Sequence, residues 1–199
     1  MKKGGLVVYP TDTVYGLGCD PFSVKAVERL IHVKGAREKP LPILSNTLSQ
    51  IERVAKISLE ARVMGEKFWP GPLTLILPKK DLPEIVTFGL RSVGVRIPNN
   101  EITLMLVSLA GGLLVGTSAN KTGCPPPSKA CEAIDQLGDQ VDLILDGGTA
   151  ELKTPSTVID FTGKEPKVLR EGSLTFNEVL KALNTARADS QTRVKIQVS

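Results

Sequence analysis

The side chains in this chain that could do chemistry are hydroxyls and cations, gathered where apolar runs end. Leu6-Val7-Val8 reads as a buried strand, and Tyr9-Pro-Thr-Asp-Thr-Val-Tyr-Gly-Leu-Gly-Cys-Asp20 follows it. Pro10 has no N–H to donate and ends the ladder. Thr11, Thr13 and Tyr15 then bring three hydroxyls, and Gly16 and Gly18 let backbone approach a neighbour closely. A strand end of this kind is where an α/β protein places a ligand. A Thr-rich turn into a helix explains the segment equally well. The pattern recurs twice. Leu113-Leu114-Val115 leads into Gly116-Thr117-Ser118-Ala119-Asn120, and Pro155-Ser156-Thr157 opens another apolar run. Gly-x-Ser-x-Asn falls short of a nucleophile elbow, because the final Gly is absent and His32 is the only histidine. Ser118 is therefore read as a hydrogen-bond donor.

The cations sit in two places. Lys34-Gly-Ala-Arg37-Glu-Lys39-Pro40 carries three in six residues. It reads either as a solvated loop or as a phosphate clamp, since Arg forks onto two oxygens while Lys acts as a point charge. In Val93-Gly94-Val95-Arg96-Ile97 the alternation puts Gly94 and Arg96 on one face. Glycine beside arginine leaves room for a ligand next to a fixed charge; an edge strand with an exposed Arg is the plainer account.

Composition narrows the choices. Net charge is +4 and the pI about 9.0, which suits a polyanion or phosphorylated ligand, or simply a basic surface. Aromatics are 4% of the chain, too few for a base-stacking platform. Cys19, Cys124 and Cys131 form no CxxC pair. With one histidine, that excludes a zinc site built mainly from Cys and His and argues against a Cys–His or Ser–His pair. Sparse cysteines point to a reducing compartment. No signal-peptide pattern or apolar run of roughly 18 residues is present, so the expectation is a cytoplasmic protein without a membrane span.

The elements that must position these residues alternate. Helices are predicted after Ser23, over Thr47–Ile57, after Ser58, from Asn99 or Asn100 to Leu109, from a Ser128 cap to Gly138, and after a Thr175/Glu178 capping box. Strands are predicted at Leu41–Ser45, Leu73–Leu77, Val93–Pro98, Leu113–Val115, Val141–Leu145, Pro155–Asp160 and Lys167–Gly172. Trp69 is read as a core anchor. The expected fold is α/β: one domain over 1–185 with a twisted, mixed parallel/antiparallel open sheet flanked by helices. Residues 186–199 are a polar tail or an added edge strand.

Five blocks then carry a specific resemblance. Pro10–Gly18, Trp69-Pro-Gly-Pro-Leu-Thr74, Val95-Arg-Ile-Pro98, Thr117-Ser-Ala-Asn120 and Pro155-Ser-Thr-Val-Ile-Asp160 resemble, in order, the signature blocks of the YrdC-type L-threonylcarbamoyladenylate synthases. The resemblance implies an ATP-binding nucleotidyltransferase that converts L-threonine, bicarbonate and ATP into threonylcarbamoyl-AMP and pyrophosphate, with Mg²⁺ as the implied metal. The product would pass to a separate transferase that modifies tRNA, and a weak contact with tRNA or RNA is expected. By matching positions, Thr13, Arg96, the Gly116 backbone and Ser156 would hold L-threonine. Lys34, Arg37, Lys39, Ser92, Ser118, Asn120, Pro126 and Arg170 would hold ATP, with Lys34, Arg37, Ser118 and Asn120 catalytic. No residue is assigned to a metal. The family's Lys-x-Arg is displaced here, with Ala36 in the arginine's place and Arg37 one further on; either Arg37 substitutes or the clamp is weakened. The family's leading helix and the extra C-terminal domain of its longer members are expected to be lacking. Two other readings stay open: an RNA-binding module, and a nucleotide-binding paralogue without synthase activity.

Overall fold

The computed structural model describes residues 4–35 and 39–185; Arg37 and the 186–199 tail lie outside the described residues. β1 (Val7–Tyr9) runs into a buried loop and then β2 (Gly16–Gly18), followed by α1 (Val24–Lys34) and β3 (Ile43–Ser45). α2 (Leu48–Val54) and α3 (Leu59–Phe68) lead to β4 (Leu73–Pro78), a short α4 (Glu84–Thr87) and β5 (Ser92–Arg96). Next come α5 (Glu101–Leu109), β6 (Leu113–Val115), β7 (Thr117–Ser118), α6 (Ala130–Leu137), β8 (Leu143–Ile144), β9 (Thr157–Asp160) and β10 (Lys167–Arg170). A helix, α7, occupies 176–185.

Caps set several helix starts. Ser23 accepts from the Ala26 amide, Thr47 from Gln50, Ser58 from Ala61 and Asn100 from Thr103. Each bond satisfies a backbone donor that the first helical turn leaves without a partner. Thr175 and Glu178 form the predicted reciprocal box, at 2.7 and 3.3 Å. At α6 the cap falls on Lys129 rather than Ser128. Glu132 supplies the acceptor there, taking the amides of Ser128 at 2.6 Å and Lys129 at 3.3 Å.

The strands are mixed in direction, as expected, but divide into two sheets. One has the order β7-β2-β1-β8, the other β10-β9-β4-β5-β3-β6. β1/β8, β3/β5 and β4/β9 are parallel pairs; the remaining neighbours are antiparallel. The chain passes between the sheets at Gly116, where β6 ends and β7 begins. Leu73, Leu75 and Leu77 of β4 and Val93 and Val95 of β5 bury one face of the larger sheet, with Val27 and Leu30 of α1 and Met64 of α3 in the same core. Each fully buried aliphatic side chain contributes about 1.5–3 kcal/mol. The opposite face of β4 and β5 carries Thr74, Ile76, Gly94 and Arg96, which is the face the site uses.

Gly16 and Gly18 serve packing. A Cβ on Gly16 would come within 2.5 Å of the Tyr9 ring, and one on Gly18 within 2.3 Å of the Val115 carbonyl oxygen. The neighbours they approach closely are thus parts of the protein itself.

Candidate functional site

A cavity of about 380 Å³ opens where the two sheets meet. Its wall takes Thr13 from the loop after β1, Gly116 and Ser118 from the sheet crossing, Arg96 from β5, and Ser156 and Arg170 from the β9/β10 side. Lys39 and Pro126 complete the set of sequence-predicted residues that line it. Ser92 does not: it opposes Pro78 at the far end of β5, roughly 13 Å of strand from Arg96. Lys34 and Asn120 lie behind the wall. The Lys34 ammonium is buried and donates to the carbonyls of Ser118, at 2.6 Å, and Asn120, while the Asn120 side-chain amide donates to the carbonyls of Lys121 and Cys124 at 2.8 Å. Together they fix the loop that presents Ser118. Arg37 is outside the described residues.

Hydroxyls of the first loop divide their work. Thr11 closes a local turn, donating to the Val14 carbonyl at 2.6 Å and sharing a bond with Thr13. The Tyr15 hydroxyl donates to the Gly148 carbonyl at 2.6 Å and accepts from the Gly147 amide at 3.1 Å. Only Thr13 of the three reaches the cavity.

Arg96 is a buried cation of the wall, with 6% of its surface exposed. Its Nε donates to the Gly71 carbonyl at 2.9 Å, Nη1 to the Thr13 hydroxyl at 2.9 Å and Nη2 to Asp12 Oδ1 at 2.5 Å. Burial pushes its pKa down and the Asp12 carboxylate opposes that shift; an arginine stays protonated in proteins. On the opposite side, Arg170 donates to the Ser156 carbonyl from Nε at 3.1 Å and Nη2 at 2.7 Å. Partial burial lowers its pKa too. The Ser156 hydroxyl lies 2.8 Å from that of Thr74.

Sequence reading missed Asp12 and Thr74. Thr74 had a signal: alternation along β4 puts Thr74 and Ile76 opposite the buried leucines. Asp12 had a weaker one, a carboxylate inside an otherwise uncharged buried segment.

The described lining carries Lys39, Arg96 and Arg170 and no carboxylate. Among the described residues no group of three or more His, Cys, Asp or Glu side chains is placed to hold a metal. The described side chains thus do not fit a protein-held Mg²⁺, which as a hard cation takes carboxylates or phosphates. The arrangement can neutralise two kinds of anion: a carboxylate at the buried Arg96 end, and phosphates at the outer Lys39 and Arg170 end. Among the described residues it offers no activated nucleophile. No helix among the described residues is long and apolar enough to cross a membrane.

Fold and cavity define an α/β protein of the Sua5/YciO/YrdC type. The family model of that name, described as "Telomere recombination", matches residues 1–172, and the chain belongs to this family. It is 40% identical over 190 residues to the threonylcarbamoyl-AMP synthase of Pyrococcus abyssi, covering 94% of this chain and 56% of that protein. The threonylcarbamoyl-AMP synthase of Idiomarina loihiensis is 37% identical over 163 residues, covering 79% of this chain and 88% of that one. The crystal structure of P. abyssi Sua5 complexed with L-threonine superposes with a TM-score of 0.88 at 40% identity, over 91% of this chain and 54% of that one. The chain therefore spans little more than half the length of the P. abyssi relative, and most of the length of the I. loihiensis one.

Proposed function

We propose that the chain is an L-threonylcarbamoyladenylate synthase acting in the cytoplasm. The observation that carries this is the cavity itself. Thr13, Arg96, Gly116, Ser118 and Ser156, from four separate segments, meet in one hollow with Lys39 and Arg170 at its mouth. Arg96 and Thr13 would take the carboxylate of L-threonine, with Ser156 and the Gly116 backbone completing the amino-acid end. Lys39, Ser118, Pro126 and Arg170 would take ATP, together with Arg37. Lys34 and Asn120 would act by holding the Ser118 loop. Ser92 would act only from a distance.

In the reaction the nitrogen of threonine bonds to the carbon of bicarbonate as a C–OH bond there breaks, and water leaves with the hydroxyl and a proton from the amine, giving a carbamate. An oxygen of that carbamate forms a bond to the α-phosphorus of ATP. The bond from that phosphorus to the bridging oxygen breaks, and pyrophosphate leaves with the electron pair. The protein must align two anions and neutralise charge, which fixed cations and oriented donors do without a covalent step. Any Mg²⁺ would enter on the phosphates of ATP, since the described lining offers it no carboxylate. Threonylcarbamoyl-AMP would then go to a tRNA-modifying transferase. The support is the cavity together with synthase relatives and a threonine-bound structural neighbour.

A second reading has its own observation. Lys34, Asn120 and Ser92 stand away from the lining, which suits a paralogue that binds a nucleotide without making the adenylate. One assay separates the two. Pyrophosphate release that needs both L-threonine and bicarbonate is expected. ATP turnover indifferent to threonine, or none with ATP bound, selects the paralogue.

A further inference from the structure

The buried ion pair behind the cavity has an unusual shape. Arg–carboxylate pairs frequently fork, each oxygen taking one N–H. Asp12 does not fork. Its Oδ1 takes Arg96 Nη2 at 2.5 Å, and its Oδ2 is buried without a hydrogen-bond partner. Leaving a buried oxygen unmatched is unfavourable and calls for a reason. Counting donors supplies one. A guanidinium has five N–H groups. Gly71, Thr13 and Asp12 each take one, from Nε, Nη1 and Nη2 in turn. One N–H on Nη1 and one on Nη2 are thus left over from these three bonds. A forked Asp12 would have occupied one of them.

Asp12 is itself held. Its backbone carbonyl accepts from the Leu152 amide at 2.9 Å, and its residue is 4% exposed, outside the cavity lining. The hydrogen bond its side chain makes to the cavity wall is the one to Arg96. The Gly71 end of the anchor is fixed as well, because the Gly71 amide donates to the Ile97 carbonyl at 2.9 Å.

We propose that Asp12 is a positioning residue for amino-acid recognition: its one-point bond to Arg96 orients the guanidinium so that two N–H groups stay available to the ligand's α-carboxylate. This rests on the reading of the cavity as an amino-acid site. Asp12 touches neither substrate, and its effect falls on the amino-acid half alone.

The test measures binding of L-threonine and, separately, of a non-hydrolysable ATP analogue by calorimetry, and KM and kcat for both substrates, in the wild-type chain, Asp12→Asn and Asp12→Ala. Asn keeps an acceptor for Nη2 but loses the charge assistance, so threonine affinity and KM should worsen about fivefold. Ala removes the anchor, and the loss should be roughly tenfold or more. ATP affinity should stay within about twofold, and thermal melting reports folding separately. If Asp12→Ala does not fold, Asp12→Asn alone decides. Unchanged threonine affinity in the folded variants, or an equal loss for ATP, overturns the inference alone. A wild-type chain that binds no threonine overturns the amino-acid reading and this inference with it.

Discussion

Arg96 is where the proposed ligand recognition would be coupled to stability. Replacing it by Ala removes the cation assigned to the amino-acid carboxylate and leaves Asp12 charged, buried and unpaired. Loss of one partner of a buried pair costs about 3–5 kcal/mol. Arg96→Ala should therefore abolish threonine-dependent pyrophosphate release and lower the melting temperature together. Retained threonine-dependent turnover would remove Arg96 from the site. The cysteines give a second residue-scale expectation. Cys19 is buried, and burial, with Asp20 nearby, pushes its thiol up to about 12. Its nucleophilic thiolate is therefore scarce at neutral pH. Cys124 and Cys131 are exposed. A thiol reagent at neutral pH should modify those two quickly and Cys19 only after denaturant is added; rapid modification of all three would contradict the buried placement.

At the scale of elements, acid sensitivity falls on caps and one tether. Glu132 is held below the usual glutamate range foremost by the Ser128 amide, and Glu178 foremost by the Thr175 hydroxyl. Asp142 is held low foremost by Arg29, which it meets at 2.5 Å. A carboxylate whose folded pKa is depressed stabilises the fold above its unfolded pKa and loses that contribution as pH falls through the folded value. Thermal stability should thus be level from about pH 7 to 5 and decline below about pH 4.5. A decline that began near pH 6 would assign the effect to other groups. The close approach of β2 to β1 gives a further test. Gly16→Ala would drive a methyl into the Tyr9 ring and should cost about 1–3 kcal/mol, read by denaturant unfolding.

The same elements show what could be read in advance. Helix starts were legible because a cap is local: Ser23, Thr47, Ser58 and Asn100 act on an amide three residues on. The buried strands were legible from their apolar runs and, in β5, from alternation. β2 and β7 were not, because a Gly-Leu-Gly and a Thr-Ser segment carry no periodicity, and their pairing depends on Tyr9 and on each other. The candidate site was legible as residue types at strand mouths. Its internal bonds were not: Asp12 finds Arg96 84 residues away, and Thr74 finds Ser156 82 residues away. Nothing local announces such partners.

Across the whole molecule, the cavity depends on the two sheets staying together, since each supplies part of the wall. The crossing at Gly116 enforces this at the level of single peptides. The Val115 amide donates to the Cys19 carbonyl just past β2, while the next amide, Gly116, donates to the Pro42 carbonyl just before β3. Two adjacent protons thus act as rivets in opposite plates. Neither plate can peel away without drawing out a rivet from the other, so melting should be a single concerted event. Deuterium uptake at these neighbouring amides should then proceed at matching, slow rates, and a large disparity between them would reveal one plate loosening by itself.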